Sequence, residues 1–149
     1  MRTHRIARPL ALAFALLVAL AGCSDAADDA AGTDDTAPGQ VQATGQSLDV
    51  DAFADLAAGD DVVLLDVRTA QEFAEGHLDG AVNLDVTSPD FTAGLGELDP
   101  EATYAVYCRS GNRSQTAIAA MRDAGFSAVA DLSGGIQAWA SDGRPVVTD

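Results

Sequence analysis

From Ser47 onward, the apolar positions fall into two kinds of run that take turns along the chain. Val62-Val63-Leu64-Leu65-Asp66-Val67 is a continuous aliphatic stretch, the mark of a strand buried on both faces. Tyr104-Ala105-Val106-Tyr107 and Ala128–Leu132 have the same character, and Ala81–Leu84 predicts a shorter strand. Between these runs the spacing changes. Asp51–Ala58 places Phe53 and Leu56 on one helical face, and Ser114–Asp123 does the same with Ala117, Ile118, Ala120 and Met121. Asp90–Leu95 reads as a weak helix and Gly135–Ala140 as a short one carrying Trp139, with Gly134-Gly135 making the turn before it. Thr69 is an N-cap for a helix over Ala70–Glu75, and Glu72 three residues later completes a capping box. Strands alternating with helices predict an α/β fold, a parallel sheet with right-handed crossovers. In such sheets ligands bind beyond the carboxyl ends of the strands.

The first part of the chain follows a different pattern. Arg2, Arg5 and Arg8 precede an apolar stretch from Leu10 to Leu20, too short for a comfortable membrane span. The stretch ends in Leu20-Ala21-Gly22-Cys23, which resembles the lipobox of bacterial lipoproteins, where cleavage leaves the cysteine as the lipidated first residue. Residues 1–22 are therefore expected to be an export signal and Cys23 a lipidation site that anchors the protein to a membrane outside the cytoplasm. Residues 23–46 then form a linker, rich in Asp and without an aromatic residue, of a composition that cannot build a core. As a flexible coil it reaches on the order of 25–30 Å, from about 5–6 Å times the square root of its length. The domain proper is expected over residues 47–149.

Charge narrows the partners. All 23 acidic residues follow residue 22, against five of the eight basic ones, a formal charge of −18 for that part of the chain. Every basic residue is arginine. So acidic a surface repels nucleic acid and anionic lipid headgroups. The Asp-rich linker lacks the ordered spacing of a calcium loop, and no metal or cofactor site is expected.

Two of the five later arginines flank one cysteine. Cys108-Arg109-Ser110-Gly111-Asn112-Arg113-Ser114 stands between a strand and a helix. There the amides of the turn and the unpaired donors of the first helical turn converge, and the helix dipole adds positive potential. A thiol so placed ionises more readily than a free cysteine, whose pKa is about 8.5. With Cys23 lipidated, Cys108 has no partner in the chain, which leaves a reactive thiol or an intermolecular bridge. His77, in a turn between helix and strand, is expected to be a structural hydrogen-bonding residue. Asp66 and Arg68 are expected to brace neighbouring loops, with Glu72 a capping-box member or the partner of Arg68.

Taken in order, Leu65-Asp66-Val67-Arg68, Glu72-Phe73, Gly76-His77-Leu78-Asp79-Gly80-Ala81, Cys108 to Ser114, and Leu132-Ser133-Gly134-Gly135-Ile136-Gln137-Ala138-Trp139 resemble the successive signatures of the rhodanese (thiosulfate sulfurtransferase) family. The resemblance covers roughly residues 46–147. It implies a five-stranded parallel sheet flanked by helices, a catalytic Cys108, and a sulfur-cradling loop from Arg109 to Arg113. The implied reaction is ping-pong transfer of a sulfane sulfur through a Cys108 persulfide. The donor would be a small anion and the acceptor a thiol or cyanide-like thiophile, with no cofactor. In this reading Arg109 and Arg113 hold the donor, the amides of Ser110, Gly111, Asn112 and Ser114 stabilise the sulfur anion, and Gly111 lets the loop curl. A cysteine phosphatase needs arginine six positions after the cysteine; here Arg113 stands at five and Ser114 at six. A non-catalytic persulfide-relay module is the alternative. A mixed-disulfide redox role is disfavoured, because no resolving cysteine exists.

Overall fold

The computed structural model describes residues 45–148. The expected signal over residues 1–22, the lipidation site at Cys23 and the linker as far as residue 44 lie outside the described residues. Along the chain come β1 (Gln46–Leu48), α1 (Val50–Ala57), β2 (Val62–Asp66), α2 (Ala70–Glu75), β3 (Val82–Asn83), α3 (Phe91–Leu95), β4 (Thr103–Tyr107), α4 (Asn112–Asp123), β5 (Ala128–Leu132) and α5 (Gly135–Ser141). The five strands form one sheet in the order β1-β5-β4-β2-β3, and every neighbouring pair is parallel. β4 therefore lies at the centre, with Cys108 immediately past its carboxyl end.

Alternation along the central strand divides the core. Tyr104, Val106 and Cys108 point to the face covered by Phe91 and Leu95 of α3 and by Ala117, Ile118 and Met121 of α4. Ala105 and Tyr107 point to the opposite face, where Phe53 and Leu56 of α1 and Ile136 of α5 cover them. Each large aliphatic or aromatic side chain fully buried in these layers contributes about 1.5–3 kcal/mol.

Besides one-residue shifts at the ends of α1, β2, α3 and β4, four elements depart from the sequence pattern. β1 begins at Gln46, the last residue of the segment read as linker; its three residues carry no apolar alternation, and parallel pairing with β5 holds them. Gly45 N–H and Ser133 N–H donate to the Val129 and Leu48 carbonyls at either end of that pairing, both at 2.8 Å. The strand expected over Ala81–Leu84 keeps only Val82 and Asn83. Asn83 earns its place with its amide, which donates to the Asp66 and Arg68 carbonyls and fastens the end of β2. α4 starts two residues before Ser114, because Gly111, at φ 97°, turns the chain into the helix at once. α5 runs one residue further than expected.

Candidate active site at the end of the central strand

Cys108 is carried by the best-supported strand of the sheet, and its side chain is only 1% exposed. The turn that follows folds back over it. Gly111, in the left-handed region that glycine alone adopts freely, aims its N–H at the Cys108 Sγ at 3.1 Å. Burial by itself disfavours a thiolate. The Ser114 hydroxyl and the amides of Ser114, Ser110 and Gly111 favour the anion by more, and the thiol lies below its ordinary range. Ser114 is fully buried, and its Oγ makes no hydrogen bond in the resting geometry. Its influence on Cys108 is that of a hydrogen bond favouring the charged form of the sulfur.

The opposite edge of the turn is held by α5. Gly134 and Gly135 both have positive φ, and the amides after them point at the loop: Ile136 N–H donates to the Cys108 carbonyl at 2.9 Å and Gln137 N–H to that of Arg109 at 3.2 Å. A Cβ on Gly135 would stand 2.4 Å from the Cys108 carbonyl oxygen. Carbonyls of the turn thus face α5, while amides of the turn face the sulfur. Trp139 anchors the same helix by donating to the Pro145 carbonyl and packing edge-on against Phe53.

The two arginines of the loop are not equivalent. Arg113 makes two parallel hydrogen bonds to Glu72, Nη1 to Oε2 and Nη2 to Oε1, each 2.7 Å. Glu72 also accepts from the amide and hydroxyl of Thr69, and Thr69 Oγ1 accepts from Glu72 N–H, so the expected capping box is present. Arg113 holds the Glu72 carboxyl at about 2. The partner of Glu72 is thus Arg113 and not Arg68, a link across 41 residues that no local spacing announces. Arg109, by contrast, is exposed and forms no ion pair among the described residues. With Glu75, Gly76 and Gln137 it lines an open groove of about 470 Å³ between α2 and α5.

Asp66 and Arg68 form a buried pair at the end of β2. Both are buried; Arg68 Nε donates to both carboxylate oxygens at 2.9 Å, and its Nη2 also reaches the Gly76 carbonyl at 2.7 Å. Their neighbour Tyr107 accepts from Leu78 N–H, and burial, reinforced by the Asp66 charge, pushes its phenol up. His77 stacks on Phe73, its Nδ1 lies 2.9 Å from the Phe73 carbonyl, and its backbone pairs with Val147. It is a structural residue at the end of α2. Sequence reasoning missed Gln115, whose amide donates to the buried carboxylate of Asp131 at 2.8 Å beside the loop. Among the described residues, no group of three His, Cys, Asp or Glu side chains is placed to hold a metal ion.

A thiol at the end of a central parallel strand, cradled by amides and followed by a glycine-turned helix, is the arrangement that the sequence signatures implied. The model of the rhodanese-like domain matches residues 49–142. The chain belongs to the rhodanese-like family. This rhodanese-like chain is 38% identical over 92 residues to a sulfurtransferase of Allochromatium vinosum, covering 62% of the chain and 84% of that protein. It is 42% identical over 78 residues to the thiosulfate sulfurtransferase GlpE of Pseudomonas putida, covering 52% and 68% respectively. The probable adenylyltransferase/sulfurtransferase MoeZ of Mycobacterium tuberculosis is 39% identical over 90 residues, which are 60% of this chain but only 23% of MoeZ. Among solved structures, a rhodanese-related protein from Thermoplasma volcanium superposes with a TM-score of 0.62 at 28% identity, covering 70% of this chain and 99% of that one.

Proposed function

We propose that this protein is a sulfurtransferase that carries a sulfane sulfur on Cys108. The Cys108 thiolate attacks the outer sulfur of an anionic donor such as thiosulfate. The S–S bond of the donor breaks, sulfite leaves with the electron pair, and a Cys108 persulfide forms. A thiophilic acceptor then attacks the outer sulfur, and the Cys108 thiolate departs. Both leaving groups are stable anions, so the chain needs no general acid at the sulfur. The observation that carries this reading is the cradle itself: a buried thiol whose anion is favoured by the Gly111 amide at 3.1 Å and by Ser110 and Ser114. The sulfurtransferase relatives support the same chemistry. We further propose that Cys23 is lipidated and tethers the domain to a membrane outside the cytoplasm; fatty-acid labelling that is lost in Cys23→Ser tests this.

The reaction is tested by thiocyanate production from thiosulfate and cyanide, comparing the full chain with Cys108→Ser. Turnover that disappears in the variant supports covalent transfer at Cys108. If the folded protein neither turns over nor gains the mass of one sulfur atom from thiosulfate, that donor is excluded. A persulfide that forms but turns over slowly would point to a relay module instead.

A further inference from the structure

We propose that Glu72 sets the charge of this site: it clamps Arg113 in place and cancels its charge, leaving Arg109 as the cation that recognises the anionic donor. This deepens the sulfurtransferase reading and rests on it for the identity of the donor. Three observations carry it. The clamp is bidentate, with both N–O distances at 2.7 Å, which fixes the plane of the guanidinium as well as its position. The clamp is also anchored: Glu72 sits in the first turn of α2, tied to the amide and hydroxyl of Thr69, so it cannot follow Arg113 outward. Both partners are partly buried, with side chains 28% exposed, so Arg113 swings toward a ligand only by leaving a partly buried carboxylate unpaired.

A census of the described arginines completes the case. Arg68 pairs with Asp66, and Arg144 pairs with Asp51 and Asp142. Arg122 has no ion pair among the described residues and lies in the last turn of α4, about 14 Å along the helix from Arg113 at 1.5 Å per residue. Of the described arginines, Arg109 alone is both without an ion pair and next to Cys108 in the chain, and its side chain lines the groove between α2 and α5 together with Glu72 and Glu75. Arg109 and Arg113 with Glu72 thus sum to one positive charge, and Glu75 stands as a further carboxylate on the groove wall. For a reaction that binds a dianion and must then release sulfite, a single exposed cation captures the donor without trapping the product.

Reaction of Cys108 with iodoacetate and iodoacetamide tests this on the full chain without relying on turnover. Both reagents alkylate the thiolate and expel iodide, but only iodoacetate is an anion. Their rate ratio thus reads the potential at the sulfur and cancels changes in thiolate fraction. In E72Q, where glutamine still serves as the capping-box acceptor, the iodoacetate-to-iodoacetamide ratio is expected to rise about three- to tenfold. In R109Q it falls by a similar factor. E72D keeps the charge and keeps the wild-type ratio, and E72Q/R113Q removes both charges and returns the ratio to that of the wild type. If E72Q alone unfolds, R109Q still decides: an iodoacetate-to-iodoacetamide ratio that stays at the wild-type value there overturns the proposal. With thiosulfate, E72Q lowers KM more than it changes kcat. A purely structural Glu72 would lower thermal stability and leave the ratio unmoved, and that result overturns the proposal. A wild-type protein that forms no persulfide would overturn the sulfurtransferase reading instead, so the two fail separately.

Discussion

Ser114 carries two opposing consequences in one side chain. Its buried, unbonded hydroxyl costs about 1–3 kcal/mol, and it occupies a helix position that alanine would favour. The same hydroxyl is the foremost influence holding the Cys108 thiol down against burial. Ser114→Ala is therefore expected to stabilise the fold by about 1 kcal/mol and to move the inflection of the alkylation-versus-pH curve upward. The sign follows from linkage. A folded thiol that ionises below the unfolded value contributes stability above that unfolded value, and the contribution is lost as pH falls through the folded one. In the variant this alkaline contribution shrinks. Melting temperature and iodoacetamide rates across pH measure the two effects; a less stable variant with an unshifted inflection contradicts both. Glu72, held at about 2, stays charged throughout, so the wild-type curve should show one inflection and no second step between pH 4 and 8.

At the scale of elements, the site depends on how closely α5 approaches the turn after β4. Gly135 permits that approach, because a Cβ there would meet the Cys108 and Arg109 backbone at 2.4–2.6 Å, atoms with no room to give. Gly135→Ala is expected to cost about 2–4 kcal/mol in urea unfolding, combining overpacking with a positive-φ penalty, and to separate α5 from the loop. Gly111→Ala meets nothing closer than 3.5 Å and suffers only its φ of 97°, a cost of about 1–2 kcal/mol. Equal losses in the two variants would refute this ordering. Thr69→Ala removes one half of the capping box and should cost about 1 kcal/mol, with part of the E72Q behaviour appearing alongside as Glu72 loosens.

For the molecule as a whole, the surface and the site pull in opposite directions. The chain following residue 22 carries −18 by formal count, yet the residue next to the thiol in the chain is Arg109, which has no ion pair among the described residues. At about 0.01 M salt the Debye length is about 30 Å, and an approaching anion meets the field of the entire acidic domain; at about 0.1 M it falls to about 10 Å, and only the local cations act. The kcat/KM for thiosulfate is thus expected to rise across that interval, the reverse of a site on a basic protein. A fall would show that Arg109 governs the approach even at long range.

The sequence by itself determined what is encoded over a few residues. Continuous apolar runs located β2, β4 and β5, and a period of 3.6 located α1 and α4. The three-residue spacing of Thr69 and Glu72 foretold the capping box, and the place of Asp66 and Arg68 at the end of a buried strand pointed to their network. The run from Cys108 to Ser114 declared its turn and its thiol, because a glycine after a strand and before a helix leaves few other conformations. Tertiary structure decided everything that depends on distant segments meeting. β1 is held by pairing with β5, which three residues without alternation do not announce. Arg113 could not be assigned to Glu72 until α2 and α4 had been placed, since an ion pair across 41 residues has no period. The burial of Ser114 and the seating of α5 on the Cys108 carbonyl arise the same way: packing selects them after the local elements exist.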